Sequence, residues 1–261
     1  MLTIKEYVKA TTIDEAYELN QKKTNCICGG MIWLKMQRKN VQTIIDLSGL
    51  GLDKIEERED EFEIGAMATL RDIEENKALN DYTNGTIKES IRHIVGVQFR
   101  NVATVGGSIF GRFGFSDVLT MFMALDSYVK LYKGGIVSLE EFAKMPKDRD
   151  ILMSIIVKKQ NLKCVYMSQR NTKTDFPVIA CGLSLVGDTY KIVLGARPAK
   201  AAAIAYKKDE SMDIKEFAEK MGEVAAESFE FNTNMRASAE YRKHLAKVIV
   251  KRACLKMEGV Y

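Results

Sequence analysis

The stretch "RNVATVGGSI", residues 100–109, sets a Gly-Gly pair directly after a short run of small and β-branched residues, with apolar segments on both sides. Glycine has no Cβ, so such a pair lets successive backbone N–H groups converge and lets a ligand come close to the main chain. A second pair, Gly29-Gly30, follows the β-rich run "NCIC" in the same way. Each pair reads as a turn after a short strand. It is either an ordinary tight turn or a nest for an anion, of which phosphate is the usual guest. Neither carries the G-x-G-x-x-G or G-K-[ST] pattern of the common nucleotide loops.

Upstream, "KEYVKAT" predicts a strand, and Thr12 with Glu15 forms a capping-box signature for a helix with Ile13, Ala16, Tyr17 and Leu19 on one face. "VQTIIDL" predicts a buried strand, and "FEIGAM" an alternating one before a helix led by Thr69. Residues 86–97, "TIKESIRHIVGV", place Ile87, Ile91, Ile94 and Val95 at the spacing of a single helix laid on a core. Downstream, "SDVLTMFMALD" predicts a helix capped by Ser116 or Asp117, followed by a hairpin turning at Gly134-Gly135. "ILMSIIVKK", "LKCVYMSQR", "PVIACGLSLVG" and "TYKIVLGA" are β-rich, and the last part reads as two amphipathic helices. The whole is an α+β chain with a boundary near residue 158: a first domain, 1–158, with parts about 1–53 and 54–158, then a domain 159–261 of three antiparallel strands with helices.

Composition narrows the function. With 261 residues and 46% apolar content the chain can bury one large core or two modest ones. No window approaches the roughly 18 uninterrupted apolar residues of a membrane helix, and the start lacks signal-peptide order, so the expected location is the cytoplasm. Five scattered cysteines do not suit a disulfide framework. Cys26 and Cys28 are expected to turn to opposite faces of their strand, which disfavours a C-x-C chelate, and His93 and His244 have no partners at ligand spacing. Lys and Arg total 39 against 35 Asp and Glu, interleaved instead of clustered, which argues against nucleic acid.

The residues around the glycines carry a resemblance. "CGGMIWL" (28–34) is similar to an A-G-G-[T/H]-x-L loop, and "RNVATVGGSI" to an R-N-x-A-T-I-G-G-N-I loop, in the flavin-binding subunit of the molybdenum hydroxylases, the xanthine dehydrogenase and carbon monoxide dehydrogenase family. "GLSLVGDTYKIVLGARPAKA" and "MRASAEYRKHLAKVIVKRAC" resemble that family's C-terminal hairpin and D-x-R-A-S-A-x-Y-R helix, in the same order. The resemblance implies a PCMH/vanillyl-alcohol-oxidase-like FAD-binding domain and a C-terminal flavoprotein domain. It also implies FAD held by two loops: Cys26, Ile27, Cys28, Gly29, Gly30, Met31, Ile32 and Trp33 in one, and Ala103, Thr104, Val105, Gly106, Gly107 and Ser108 in the other. Asp117 would meet the adenosine side, and Ile94 and Leu152 would flank the rings.

Met31 and Ile32 stand where the family has groups that hydrogen-bond phosphate or ribityl oxygens, and Met167 stands where many members have a Lys, with Arg170 nearby. By resemblance the chain passes electrons from [2Fe–2S] clusters on a small partner subunit through FAD to NAD or another acceptor. On the same resemblance, molybdopterin would sit on a large partner that oxidises a purine or similar heterocycle. The alternative is an assembly subunit that holds FAD weakly. No residue of this chain is expected to be catalytic, because the redox chemistry is the flavin's.

Overall fold

The computed structural model describes residues Met1 to Tyr261, and its strands fall into three separate sheets. In the first, β1 (Thr3–Lys9), β2 (Cys26–Cys28) and β3 (Asn40–Asp46) lie in the order β1-β3-β2 with both pairings parallel. Helix α1 (Ile13–Gln21) starts where Thr12 accepts from the Glu15 amide, while the Glu15 carboxylate accepts from the Thr11 amide and hydroxyl. Parallel neighbours cannot be joined by a tight turn. The chain therefore leaves the carboxyl end of β2 at Cys28 and crosses over through residues 29–39, a crossover that begins with Gly29-Gly30.

The second sheet is antiparallel throughout, in the order β4-β5-β8-β6-β7: β4 (Ile55–Glu57), β5 (Glu61–Gly65), β6 (Ser127–Leu131), β7 (Gly135–Ser138) and β8 (Leu152–Lys158). Between β5 and β6 run six short helices: α2 (Leu70–Glu75), α3 (Lys77–Tyr82), α4 (Thr86–Ile91), α5 (Val97–Arg100), α6 (Val105–Phe110) and α7 (Asp117–Ala124); α8 (Leu139–Lys144) follows β7. Thr69 and Asp72 form a complete capping box at α2. The long helix expected over 86–97 is broken. It stops after Ile91, Val95 sits at φ +52, and the chain restarts beyond Gly96 as α5. A β-branched residue in the left-handed region is disfavoured sterically, so apolar spacing carried the expectation past a backbone break that it could not register.

The third sheet is an antiparallel meander, β12-β11-β10-β9, built from β9 (Leu162–Arg170), β10 (Pro177–Val186), β11 (Thr189–Gly195) and β12 (Ala202–Lys207). It thus has a fourth strand beyond the three expected. "AAIAYK" was hidden because its alanines carry little strand preference. Helices α9 (Ile214–Ser228) and α10 (Ala239–Met257) cover one face, and α7 packs against β10 on the middle sheet's side. A Cβ on Gly182 would lie 2.9 Å from the Thr120 carbonyl oxygen, so a glycine in β10 allows α7 to approach the sheet. Buried on both sides, β10 reads as a continuous apolar run and not as an alternation.

Arg242, in the S-A-x-Y-R segment, is fully buried and joins α10 to the sheet, donating to the carbonyls of Val178 and Ala196 and to Asn234 Oδ1. Its place in the motif is structural. No helix is long and apolar enough to cross a membrane.

Candidate functional site

A cleft of about 550 Å³ opens where the first crossover, the segment around residues 94–117 and the end of β9 converge. Its first wall is Cys26 to Leu34. The amides of Gly29, Gly30, Met31, Ile32 and Trp33 donate to no backbone carbonyl of the chain, and Met31 holds φ +55. Consecutive unpaired N–H groups at the carboxyl end of a parallel strand make a concave anion site. Glycine is required there sterically. A Cβ on Gly30 would fall 1.9 Å from the Val102 carbonyl oxygen, and one on Gly29 2.6 Å from Thr104 Oγ1. The two glycine segments therefore rest on each other.

The second segment is organised differently from the turn its sequence suggests. "VATV" is not a strand: Thr104 makes one isolated bridge to Thr69 and then caps α6, so Gly106 and Gly107 lie in a helix's first turn. The amides there are largely engaged. Val105 donates to the Ala68 carbonyl and Gly106 to the Ala66 carbonyl, both at 2.9 Å, while Gly107 donates to Thr104 Oγ1 and Ser108 to the Thr104 carbonyl. Val105 and Gly106 are buried and line no part of the cleft, which corrects the expectation that they face the ligand. Gly106 serves packing: its Cβ would meet the Ala66 carbonyl oxygen at 2.6 Å. Ala103, Thr104, Gly107 and Ser108 do line the cleft, and the Thr104 amide is left without a backbone acceptor.

Ile94 lines the cleft beside Val95, whereas Leu152 is buried in the middle core opposite Leu131 and does not reach it. Asp117 lines the cleft, with one of its carboxylate oxygens engaged within the chain. Oδ1 accepts from the Tyr166 hydroxyl and from Arg170 Nη2 at 2.5 Å. Burial pushes this carboxyl up, against the pull of Arg170 and Tyr166, and burial likewise raises the Tyr166 phenol, keeping it a donor. Arg170 is also tied to the Asp175 carbonyl and Ser168 Oγ, leaving two of its five N–H groups for the cleft. Arg170, not Met167, is the β9 residue on this wall.

Trp33 is half-exposed and stacks on Phe176 instead of filling the core. Phe113, Phe115 and Phe176 complete that side of the cleft, and sequence reasoning missed all three. They sit in "RFGFSD" and "TDFPV", where no periodicity marks them.

Cys26 and Cys28 share one face, packed with Val41 and Ile44, because strand side chains repeat every second residue. Burial pushes Cys28 up to about 11, with the Asp46 charge adding to it, and burial alone takes Cys181 to about 12. Maleimide labelling of the native chain at pH 8, read by mass spectrometry, should therefore leave Cys181 and Cys254 untouched until denaturant is added. Cys26, which is only partly buried and lines the cleft, should react first, and a cleft ligand should slow it.

The pattern of the FAD binding domain in molybdopterin dehydrogenase matches residues 2–159, and that of the CO dehydrogenase flavoprotein C-terminal domain matches 165–257. The chain belongs to this family. It is an FAD-binding oxidoreductase subunit of the molybdenum hydroxylase type. The uncharacterized protein YgfM of Escherichia coli is 21% identical over 252 residues, covering 95% of this chain and 94% of that one. The fold matches a chain of quinoline 2-oxidoreductase from Pseudomonas putida at a TM-score of 0.86 with 18% identity, covering 98% of this chain and 97% of the other. It matches a chain of reconstituted CO dehydrogenase from Oligotropha carboxidovorans at 0.86 with 19% identity, covering 99% of both.

The site suits the family's cofactor. The open amides can satisfy a diphosphate, and the cleft volume lies in the range of cofactor sites. FAD is the cofactor that this family's domain takes up.

Proposed function

We propose that the chain carries FAD as the electron outlet of a molybdenum hydroxylase complex. In this reading [2Fe–2S] clusters on a small subunit feed it, and it delivers to NAD or another acceptor while a large molybdopterin subunit oxidises a purine or similar heterocycle. The observation that carries the reading is the run of unpaired amides from Gly29 to Trp33, seated against Val102 by Gly30. Bound FAD supplies the redox chemistry, accepting electrons singly and releasing them in pairs.

The chain's own residues bind and shield. The amides of 29–33, with the Thr104 amide, neutralise the diphosphate through charge-assisted hydrogen bonds, which are stronger than neutral ones. The loss of polar side chains at Met31 and Ile32 matters little to such a nest, because its donors are main-chain groups. Arg170 adds a fixed positive charge at the cleft wall, and Asp117 holds it in place. Ile94, Val95 and Phe99 would supply an apolar wall that keeps water from one of the cofactor's rings.

Purified with its partners, the protein should show visible flavin absorption, and denaturation should release FAD in a one-to-one ratio. A colourless complex would reduce it to an assembly subunit. Copurification of a large molybdopterin subunit and a small cluster-bearing subunit, with reduction of NAD by a heterocyclic substrate, tests the finer assignments. Electrons delivered only to some other acceptor would remove NAD from the reading.

A further inference from the structure

Four aromatic rings gather on one wall of the cleft, and three of them are left open: Trp33 is 44% exposed, Phe113 40% and Phe115 36%. Scattered exposed apolar residues are unremarkable in a folded chain, but these are ordered against one another. Trp33 lies nearly parallel to Phe176, with ring centroids 5.6 Å apart and 25° between planes. Phe113 lies parallel to Phe115 at 5.2 Å and 13°, and Phe115 meets Phe176 edge-on at 4.6 Å. Cations brace the wall. The Arg236 guanidinium sits 5.0 Å from the Phe176 centroid and is itself paired with Asp175 at 3.2 Å, and the Lys147 ammonium sits 5.0 Å from the Phe113 centroid. Gly114, in the turn that carries two of these rings, allows no substitute, since a Cβ there would lie 1.9 Å from the Ala199 carbonyl oxygen.

The rings come from all three sheet units: Trp33 from the first crossover, Phe113 and Phe115 from the loop before α7, and Phe176 from the turn between β9 and β10. Trp33 also lies within the open amide run. A ligand whose diphosphate occupied that run would have its flanking sugar and ring beside the indole.

We propose that Trp33, Phe113, Phe115 and Phe176 form a stacking subsite for one of the planar heteroaromatic ring systems of the dinucleotide, a proposal that rests on the FAD reading above. Stacking on an aromatic platform tolerates any planar ring, and an edge-to-face cluster braced by cations is already fixed in the geometry that a ring requires. The subsite also makes the ligand a tie between the three units.

Trp33 is the chain's one tryptophan, so its emission reports on the wall alone. The full chain, freed of flavin, is titrated with ADP and separately with FMN. Access of acrylamide to the indole is the criterion, because a flavin can quench tryptophan at a distance without touching it. One half-ligand should protect Trp33 saturably. Protection by ADP assigns the subsite to the purine, and protection by FMN assigns it to the isoalloxazine. Trp33→Leu and Phe176→Ala should weaken FAD and the protecting half-ligand about tenfold, the order of a single base–aromatic stack, with the other half-ligand unchanged and the circular dichroism intact. Trp33→Phe should recover most of the affinity. Wild-type FAD affinity in Trp33→Leu, with neither half-ligand shielding the indole, would overturn the subsite and leave FAD binding standing. A chain that takes up no FAD in any form would overturn both.

Discussion

Gly30→Val is expected to leave the chain folded and empty of flavin. The added Cβ would stand 1.9 Å from the Val102 carbonyl oxygen, a backbone atom that cannot swing aside, so the crossover after β2 must lift away from the second segment. Lifting it misdirects the amides of Gly29 to Trp33, which act together on one anion. Hydrogen bonds to a charged group contribute about 1.5–3 kcal/mol each. Misplacing two of them would weaken FAD by roughly 3–6 kcal/mol, more than a hundredfold. The crossover is a half-exposed loop and its sheet does not depend on the nest, so far-UV circular dichroism should change little. The measurement is the ratio of visible flavin absorption to protein after purification, followed by FAD titration. Full flavin content with ordinary affinity in Gly30→Val would show that the nest does not hold the diphosphate.

Gly106→Ala makes the useful contrast, because the second Gly-Gly pair resembles the first in sequence and differs from it in structure. Its Cβ would press on Ala66, and its amide already serves the Ala66 carbonyl, so the substitution overpacks a core contact and should lower stability by about 1–3 kcal/mol. Any effect on FAD follows from that loss. Of the two pairs, the one with the stronger motif is the one whose amides are mostly engaged.

That reversal marks how far the sequence could be read. Strands, capped helices and the order of units were legible because alternation, three- and four-residue spacing and Ser/Thr caps are local; Thr12, Thr69 and Ser116 all cap as their side chains allow. The glycine loops were legible as places where the backbone comes close to something. Whether that something is a ligand or another piece of the chain is decided by tertiary neighbours, and Val102 against Gly30 or Ala66 against Gly106 leave no trace in residue order. The same holds for Asp117, which was expected to meet ligand and lines the cleft, but whose Oδ1 also meets Arg170 and Tyr166 from a strand some fifty positions away. It holds too for Leu152, apolar in a strand like many others and turned to the core. The aromatic wall is the extreme case, assembled from three distant segments that share no pattern.

The first residue of the opening motif governs the largest stability effect. Arg100 and Glu74 form a buried two-pronged pair, Nε to Oε2 at 2.8 Å and Nη2 to Oε1 at 3.1 Å, with side chains 6% and 4% exposed. Arg100 also donates to the Ile94 carbonyl at 3.1 Å, so it fixes the bend at which Val95 takes its left-handed conformation on the cleft wall. Arg100→Met leaves Glu74 buried with only Arg71 for company, and breaking such a pair from one side costs about 3–5 kcal/mol. At about 2–4 °C per kcal/mol for a chain of this size, Tm should fall by roughly 10 °C, and flavin should be retained less firmly as the 94–96 bend loosens. Glu74→Gln keeps the shape and should cost less. It also isolates the pH dependence. Burial alone would raise the Glu74 carboxyl, but the hydrogen bonds and charges of Arg100 and Arg71 outweigh it, and the native value lies below the ordinary glutamate range. A depressed native value means that the contribution is complete above the unfolded value near pH 4.3 and is lost as pH falls through the native one. The gap in Tm between the wild-type chain and Glu74→Gln should therefore be steady from pH 8 to pH 6 and close as the pH is taken below about 4. A gap that widened on acidification would mean that Glu74 is not held ionised by Arg100, and the assignment of this pair as the anchor of the cleft wall would fail with it.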